Sequence, residues 1–463
     1  MLYVSSRGGR QDANFADVLF DGMAPDGGLY LPQSWPQLDP DLISSFRGME
    51  YARIAAHVMA PYTDKVLGFD ELLGLTQQAY AGFDHQAVVP LTQVSADCFL
   101  MELFHGPTLA FKDLAMQFIG RLFEHMLAKQ ARKATIIGAT SGDTGAAAVE
   151  AFRGRANTNV VILYPKGRVS DVQRRQMTTA SEDNVHVLAV EGNFDDCQHM
   201  VKRMFAERAF ADEVGLSGVN SINWARVMAQ SVYYFSTAAS LGGLQNPLRF
   251  VVPTGNFGDI FAGYVAHRMG LPMAGLVVAT NANDILCRAF RDGEYRPAHV
   301  HETLSPAMDI QVSSNFERLI FDFVGRDGAK VAGLMQALQQ GGFTMPKEFT
   351  DNPLRSMFEA HAADDMAITA AIGRTYAETG LVVDPHTATG LHAHQQSSKA
   401  DNVVDVCLAC AHPAKFPEAV AAACGVTPSL PDHLARRMEE PEREHVVPAD
   451  LGQTMALIRS LVA

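Results

Sequence analysis

The sequence predicts an α/β protein built from open, mostly parallel sheets, with a small helical region ahead of them at the N-terminus. Three observations carry this. From residue 134, short apolar runs alternate with helical patterns: Ala134-Thr135-Ile136-Ile137, Val160-Val161-Ile162-Leu163-Tyr164 and Val185-His186-Val187-Leu188-Ala189-Val190. Apolar strands separated by helices predict a parallel sheet covered on both faces. Glycine-bearing turns at 138–145 and 254–259 each follow such a run and lead into a helix, which places ligands beyond the strand carboxyl ends.

Size and charge set the bounds. A chain of 463 residues can bury a large core and divides into two or three domains. Hydrophobic residues at 48% against 19% charged mark a folded globular protein. A formal net charge of -14 argues against a broad nucleic-acid surface but leaves room for a local basic pocket that holds a small anion. The cysteines at 98, 197, 287, 407, 410 and 424 are too scattered for a secreted disulfide scaffold. No apolar run is long enough to span a membrane, and Met1 to Val4 lead into Ser5-Ser6-Arg7-Gly8-Gly9 without a signal-peptide core, so the expected location is the cytoplasm, with no membrane partner.

In chain order, residues 21–32 are rich in Asp, Gly and Pro and predict an ordered loop. Residues 40–84 predict helices interrupted at Pro61 and Gly68, and Val88-Val89 and Phe99 to Leu103 predict short strands. After the alternating region, helices are expected near 315–340 and 353–379. A turn follows over 382–390, then a last strand over 403–410, and a solvated tail ends in a helix near Met455 to Leu461.

Chemistry concentrates in a few stretches. Leu103-Phe104-His105-Gly106-Pro107-Thr108-Leu109-Ala110-Phe111-Lys112-Asp113 precedes an amphipathic helix marked by Leu114, Phe118, Leu122 and Met126. Lys112 stands at its beginning, where unpaired N–H groups and the positive dipole end disfavour an ammonium. A desolvated lysine there can form a Schiff base with an aldehyde cofactor; a surface lysine beside a cap is the plain alternative. In Ser141-Gly142-Asp143-Thr144-Gly145 the glycines permit close backbone approach and Asp143 can organise polar contacts. The turn Gly255-Asn256-Phe257-Gly258-Asp259 opens a helix and can cradle a phosphate on its backbone amides. Neither turn is a dinucleotide fingerprint or a Walker loop. Asn220-Ser221-Ile222-Asn223-Trp224-Ala225-Arg226 offers an amide, a hydroxyl and a guanidinium fork to a second anion, although a capped helix with Arg226 in a salt bridge would use the same residues. Two anion sites suggest a phosphorylated substrate. Cys407 and Cys410 have the spacing of a zinc half-site, but an extended strand points them to opposite faces. No second pair completes a site, and His392 and His394 lack a third ligand, so no metal is expected.

These motifs resemble the pyridoxal-phosphate-dependent tryptophan-synthase-β-like family, in particular its longer bacterial and fungal threonine synthase branch. The resemblance rests on Ser5-Ser6-Arg7-Gly8 with Asp26-Gly27-Gly28-Leu29, on His105 to Asp113, Ala139 to Gly145, Asn220 to Asn223 and Gly255 to Asp259, and on Ala411-His412-Pro413-Ala414-Lys415-Phe416. It implies a fold-type II enzyme with two open, mostly parallel α/β domains. The corresponding divisions are an N-terminal region over 1–96, a domain carrying the lysine and substrate-phosphate motifs over 97–245, and a cofactor domain with a C-terminal extension over 246–463, a crossover between domains being allowed. It also implies that Lys112 holds pyridoxal 5'-phosphate, that Gly255, Asn256, Phe257, Gly258 and Asp259 hold the cofactor phosphate, and that Asp143 lies near its phenolic oxygen. Ser141, Thr144, Asn220, Ser221 and Arg226 would contact the substrate. The implied reaction is a carbon–oxygen lyase step in threonine biosynthesis, O-phospho-L-homoserine and water giving L-threonine and phosphate. An amino-acid dehydratase and a noncatalytic phosphate-binding protein are the alternatives. Monomer and homodimer both stay open. At position 410 the branch commonly has threonine facing the pyridine nitrogen. A cysteine there is a weaker hydrogen-bonding group that can titrate.

Overall fold

The structure, a computed structural model, describes every residue except Asp64, Ser141, 399–401 and Ala463, and the side chain of His433. Two sheets dominate. The larger has six strands in the order Phe358–Ala362, Met273–Thr280, Leu248–Pro253, Asp405–Ala409, Cys98–Glu102 and Leu91–Ser95. All neighbours are parallel except the last pair. The second has five strands, ordered His445–Pro448, Val185–Glu191, Thr158–Pro165, Ala134–Ala139 and Leu216–Ser217, and is parallel throughout. Central strands such as Val160 to Pro165 and Leu248 to Pro253 are buried residue after residue, as expected where both faces are covered. The fold is the predicted α/β type with mostly parallel sheets. Among the described residues no helix is long and apolar enough to cross a membrane.

Strands cross the sequence boundaries drawn at residues 97 and 246: Leu91–Ser95 pairs with Cys98–Glu102 across the first, and two strands cross the second. Cys98–Glu102 pairs with Asp405–Ala409 in the larger sheet, and His445–Pro448 adds to Val185–Glu191 in the smaller one. Local expectations also needed correction. Val88 has φ 60°, a left-handed conformation no strand uses, and the strand lies at Leu91–Ser95 instead. Phe358–Ala362 is a strand inside a stretch expected to be helical, and Pro385–Gln396 is a helix where a turn was expected.

Two helices set the site. Lys112–Gln130 packs beside Asp143–Phe152, and their approach depends on Gly120, where an added Cβ would lie 2.2 Å from the Ala151 carbonyl oxygen. The Trp224–Leu241 helix packs against Tyr51–Thr63, Lys112–Gln130 and Gly258–Arg268. It is buried on nearly every face, as a helix enclosed by its neighbours must be. One continuous apolar core runs from Tyr3 and Phe15 through these helices to Phe349 and Phe358.

Candidate active site

Lys112 is the first residue of its helix and is 8% exposed. The segments flanking it explain its placement. Phe111 donates its N–H to Cys410 O at 2.8 Å, His412 donates to Leu109 O at 3.0 Å, and Ala110 bridges Ala411. The lysine motif and the segment 409–416 therefore run side by side, and each brings a lysine to one carboxylate. Lys112 Nζ lies 3.4 Å from Asp143 Oδ2, and Lys415 Nζ lies 2.7 Å from Asp143 Oδ1. Gln173 Nε2 donates to the same Oδ1 at 2.9 Å, and Lys415 also donates to Thr108 O at 2.8 Å.

The electrostatics follow from burial first. Burial lowers the proton affinity of Lys112; Asp143 opposes this, while Lys415 and Arg226 reinforce it. Burial pushes the Asp143 carboxyl up, but Lys415 and Lys112 overcome that penalty and hold it below the usual carboxylate range. The Cys410 thiol is pushed up, mainly by burial and then by Asp384, so it stays protonated at ordinary pH.

Arg226 lies in the first turn of the Trp224–Leu241 helix, capped by Asn223 through Ala225 N–H at 3.0 Å. It is 3% exposed, and its Nε and Nη1 have no hydrogen-bond partner in the structure. The salt bridge that would have given Arg226 a purely structural use is not formed at those atoms. Burial lowers it to about 10, against the pull of Tyr233 and Asp259. Asp259 sits in the first turn of the Gly258–Arg268 helix. Its Oδ1 accepts from Tyr233 and from Tyr234, its Oδ2 has no partner, and burial raises it to about 7 despite those hydroxyls.

Asp143, Arg226, Asp259 and Cys410 thus each lie within electrostatic reach of Lys112. The backbone around Ser221 and the 255–259 turn are also joined, since Asn315 Nδ2 donates to Ser221 O at 3.1 Å and to Asn256 O at 3.0 Å. Gly255, Asn256 and Gly258 form the approach to the Gly258–Arg268 helix. The Phe257 ring is committed to packing on Phe290, Phe316 and Phe358, which leaves only its backbone for a ligand. Thr144 is half-buried in the Asp143–Phe152 helix and Asn220 is exposed. Ser141 lies outside the described residues. Gln173, the Tyr233–Tyr234 pair and Asn315 were passed over in the sequence, and Lys415 was noted only as part of its motif, with no role beside Asp143. Their positions depend on chain segments that converge only in the fold. Among the described residues no cluster suited to a metal ion forms.

The chain is similar to known proteins along nearly its whole length. Residues 86–408 match a family described as pyridoxal-phosphate dependent enzyme, residues 2–80 one described as threonine synthase N terminus, and residues 387–458 one described as threonine synthase, C-terminal. The threonine synthase of Pseudomonas aeruginosa is 47% identical over 459 residues, covering 99% of this chain and 98% of its own. A crystal structure of threonine synthase from Brucella melitensis with pyridoxal phosphate bound superposes with TM-score 0.96 at 50% identity, covering 99% of both chains. The yeast threonine synthase structure gives 0.93 at 35% identity over 100% of this chain and 98% of that one. With its fold and its sequence in agreement, the chain belongs to the pyridoxal-phosphate-dependent enzymes, in the threonine synthase family.

Proposed function

We propose that the protein converts O-phospho-L-homoserine and water to L-threonine and inorganic phosphate with pyridoxal phosphate as cofactor. The observation that carries this reading is the pairing, in one buried cluster, of Lys112 with a guanidinium whose Nε and Nη1 lack protein partners. Buried polar groups are normally satisfied, so an unpartnered cation points to an anionic ligand.

The residues present fit the cofactor. Lys112 Nζ would hold its aldehyde carbon, and the amides from Gly255 to Asp259, at the start of an 11-residue helix, would hold its phosphate. Asp143 would face its phenolic oxygen and Cys410 its ring nitrogen. When bound, pyridoxal phosphate supplies an electron sink for charge that develops on the substrate carbon skeleton.

The chain's own groups supply binding and proton transfer. Lys112, the amine nearest the place the substrate would occupy, would accept the α proton and exchange protons at the β carbon. Its lowered proton affinity makes the neutral amine easier to reach than at an exposed lysine. Arg226 receives the γ-phosphate and stabilises it as it leaves, with Ser141, Thr144, Asn220 and Ser221 as further polar contacts.

Incubating the cofactor-loaded protein with O-phospho-L-homoserine should release phosphate and form threonine in equal amounts in the same sample. A keto acid in place of threonine would move the chain to the dehydratases. Release of neither product would overturn the reading.

A further inference from the structure

Asp143 is held asymmetrically. Its Oδ1 receives two close donors, Lys415 Nζ at 2.7 Å and Gln173 Nε2 at 2.9 Å, whereas its Oδ2 has only Lys112 Nζ at the longer distance of 3.4 Å. Lys415 is fully buried. It sits at the end of the short turn Pro413–Lys415 and is anchored by a second bond to Thr108 O, four residues before Lys112. A buried ammonium is stable only when it is paired, and the pairing here is with the carboxylate nearest the reactive amine. That matters because a lone carboxylate beside Lys112 would favour the ammonium form, which has no lone pair for an aldehyde and cannot accept a proton.

We propose that Lys415 is a positioning residue for Lys112: as the permanent counterion of Asp143, it lets Lys112 stand beside that carboxylate as a neutral amine. The inference rests on the reading of Lys112 as the cofactor-holding amine and goes beyond it. Lys415 touches neither substrate nor reacting atoms in this account. It fixes the charge of a group that does. Lys415 Nζ is the closer of the two amines on Asp143, at 2.7 Å against 3.4 Å, and it keeps that place beside the carboxylate when Lys112 is covalently engaged. The other groups that face Lys112 are Arg226, Cys410 and Asp259, together with the Phe111 ring 4.5 Å from Nζ. A change at residue 415 leaves each of these in place.

The test uses the full chain, freed of cofactor and exposed to pyridoxal phosphate from pH 6 to 10. The rate of capture is followed by visible absorbance, and the product is trapped with borohydride and located by peptide mass. In Lys415→Met the pH midpoint of capture should rise by one unit or more, with the rate at pH 7 falling at least 10-fold and recovering at high pH. Lys415→Arg, which keeps the charge, should stay near the wild-type midpoint. A folded Lys415→Met protein that captures the cofactor at Lys112 with the wild-type midpoint overturns the proposal. Should Lys415→Met not fold, the double variant Lys415→Met/Asp143→Asn, which removes both charges, should fold again. Failure of the double variant overturns the counterion role as well. A wild-type adduct anywhere other than Lys112 instead overturns the underlying assignment of that lysine, so the two failures are distinguishable.

Discussion

An arginine buried to 3% exposure without a partner for two of its nitrogens is costly to the folded chain unless an anion arrives to meet it. Replacing Arg226 therefore separates substrate binding from cofactor binding. In Arg226→Ala, cofactor attachment at Lys112 should persist while kcat/KM for O-phospho-L-homoserine falls about 10- to 100-fold, the effect of losing a charge-assisted contact of about 1.5–3 kcal/mol. Arg226→Lys keeps the charge without the planar fork and should fall in between. Cofactor occupancy by absorbance, read on the same samples as threonine and phosphate formation, checks this, and unchanged turnover at full occupancy would remove Arg226 from the site. Lys112 and Arg226 were legible in the sequence because each stands in the first turn of a long helix with a recognisable start. Lys415 was not. It comes from a segment some three hundred residues later in the chain, and only the backbone pairing of 109–111 with 410–412 brings it to Asp143.

At the scale of single elements, the alternating strands and helices from residue 134 were readable because each strand is an unbroken apolar run. The strands that escaped are polar or short edge pieces. Phe358–Ala362 carries Glu359 and His361, and lies at the edge of its sheet. His445–Pro448 is mostly exposed. In both, pairing with a neighbour supplies what the residue pattern lacks. The helix at Pro385–Gln396 was hidden by its own start signal: Asp384 caps it, Pro385 occupies its first turn, and that combination also reads as a turn. The loop before Asp143 shows an element in which backbone shape and chemistry are linked. Gly142 has φ 147°, and an added Cβ would lie 2.4 Å from the Gln173 side chain, the group that shares Asp143 Oδ1 with Lys415. Gly142→Ala should therefore lower stability by about 1–3 kcal/mol through backbone strain and displace Gln173 from the carboxylate. Urea unfolding measures the first effect, and the pH dependence of the bound cofactor's absorbance reads the second. An alanine variant as stable as the parent would show that the loop relaxes without strain.

On the scale of the whole molecule, the N-terminal region is tied to the site through the short segment Ser313 to Arg318. Glu317 accepts from Ser6 and Arg7. Ser313 Oγ donates to Gly255 O at 2.6 Å, and Asn315 joins Ser221 to Asn256. Arg318, fully buried, donates to Tyr30 O at 3.0 Å, to Ile222 O at 2.6 Å and to Asn315 Oδ1. One guanidinium thus supplies donors to the N-terminal region, to the turn before Arg226 and to the residue that spans the two loops. Burial lowers its proton affinity to about 9, a strain the folded chain bears in exchange for three bonds that no apolar side chain can make. Arg318→Met matches much of the volume but leaves the Tyr30 and Ile222 carbonyls without this donor, and should cost on the order of 3 kcal/mol in urea unfolding. The accompanying change should be spatially specific. Amide hydrogen exchange should accelerate together at 28–32 and 220–224, because both lose the same partner, while the smaller sheet at 158–165 keeps its protection. Faster exchange at 28–32 alone would mean that the turn carrying Ser221 and Asn223 is held by its own helix cap, and that the N-terminal region does not help to shape the anion site.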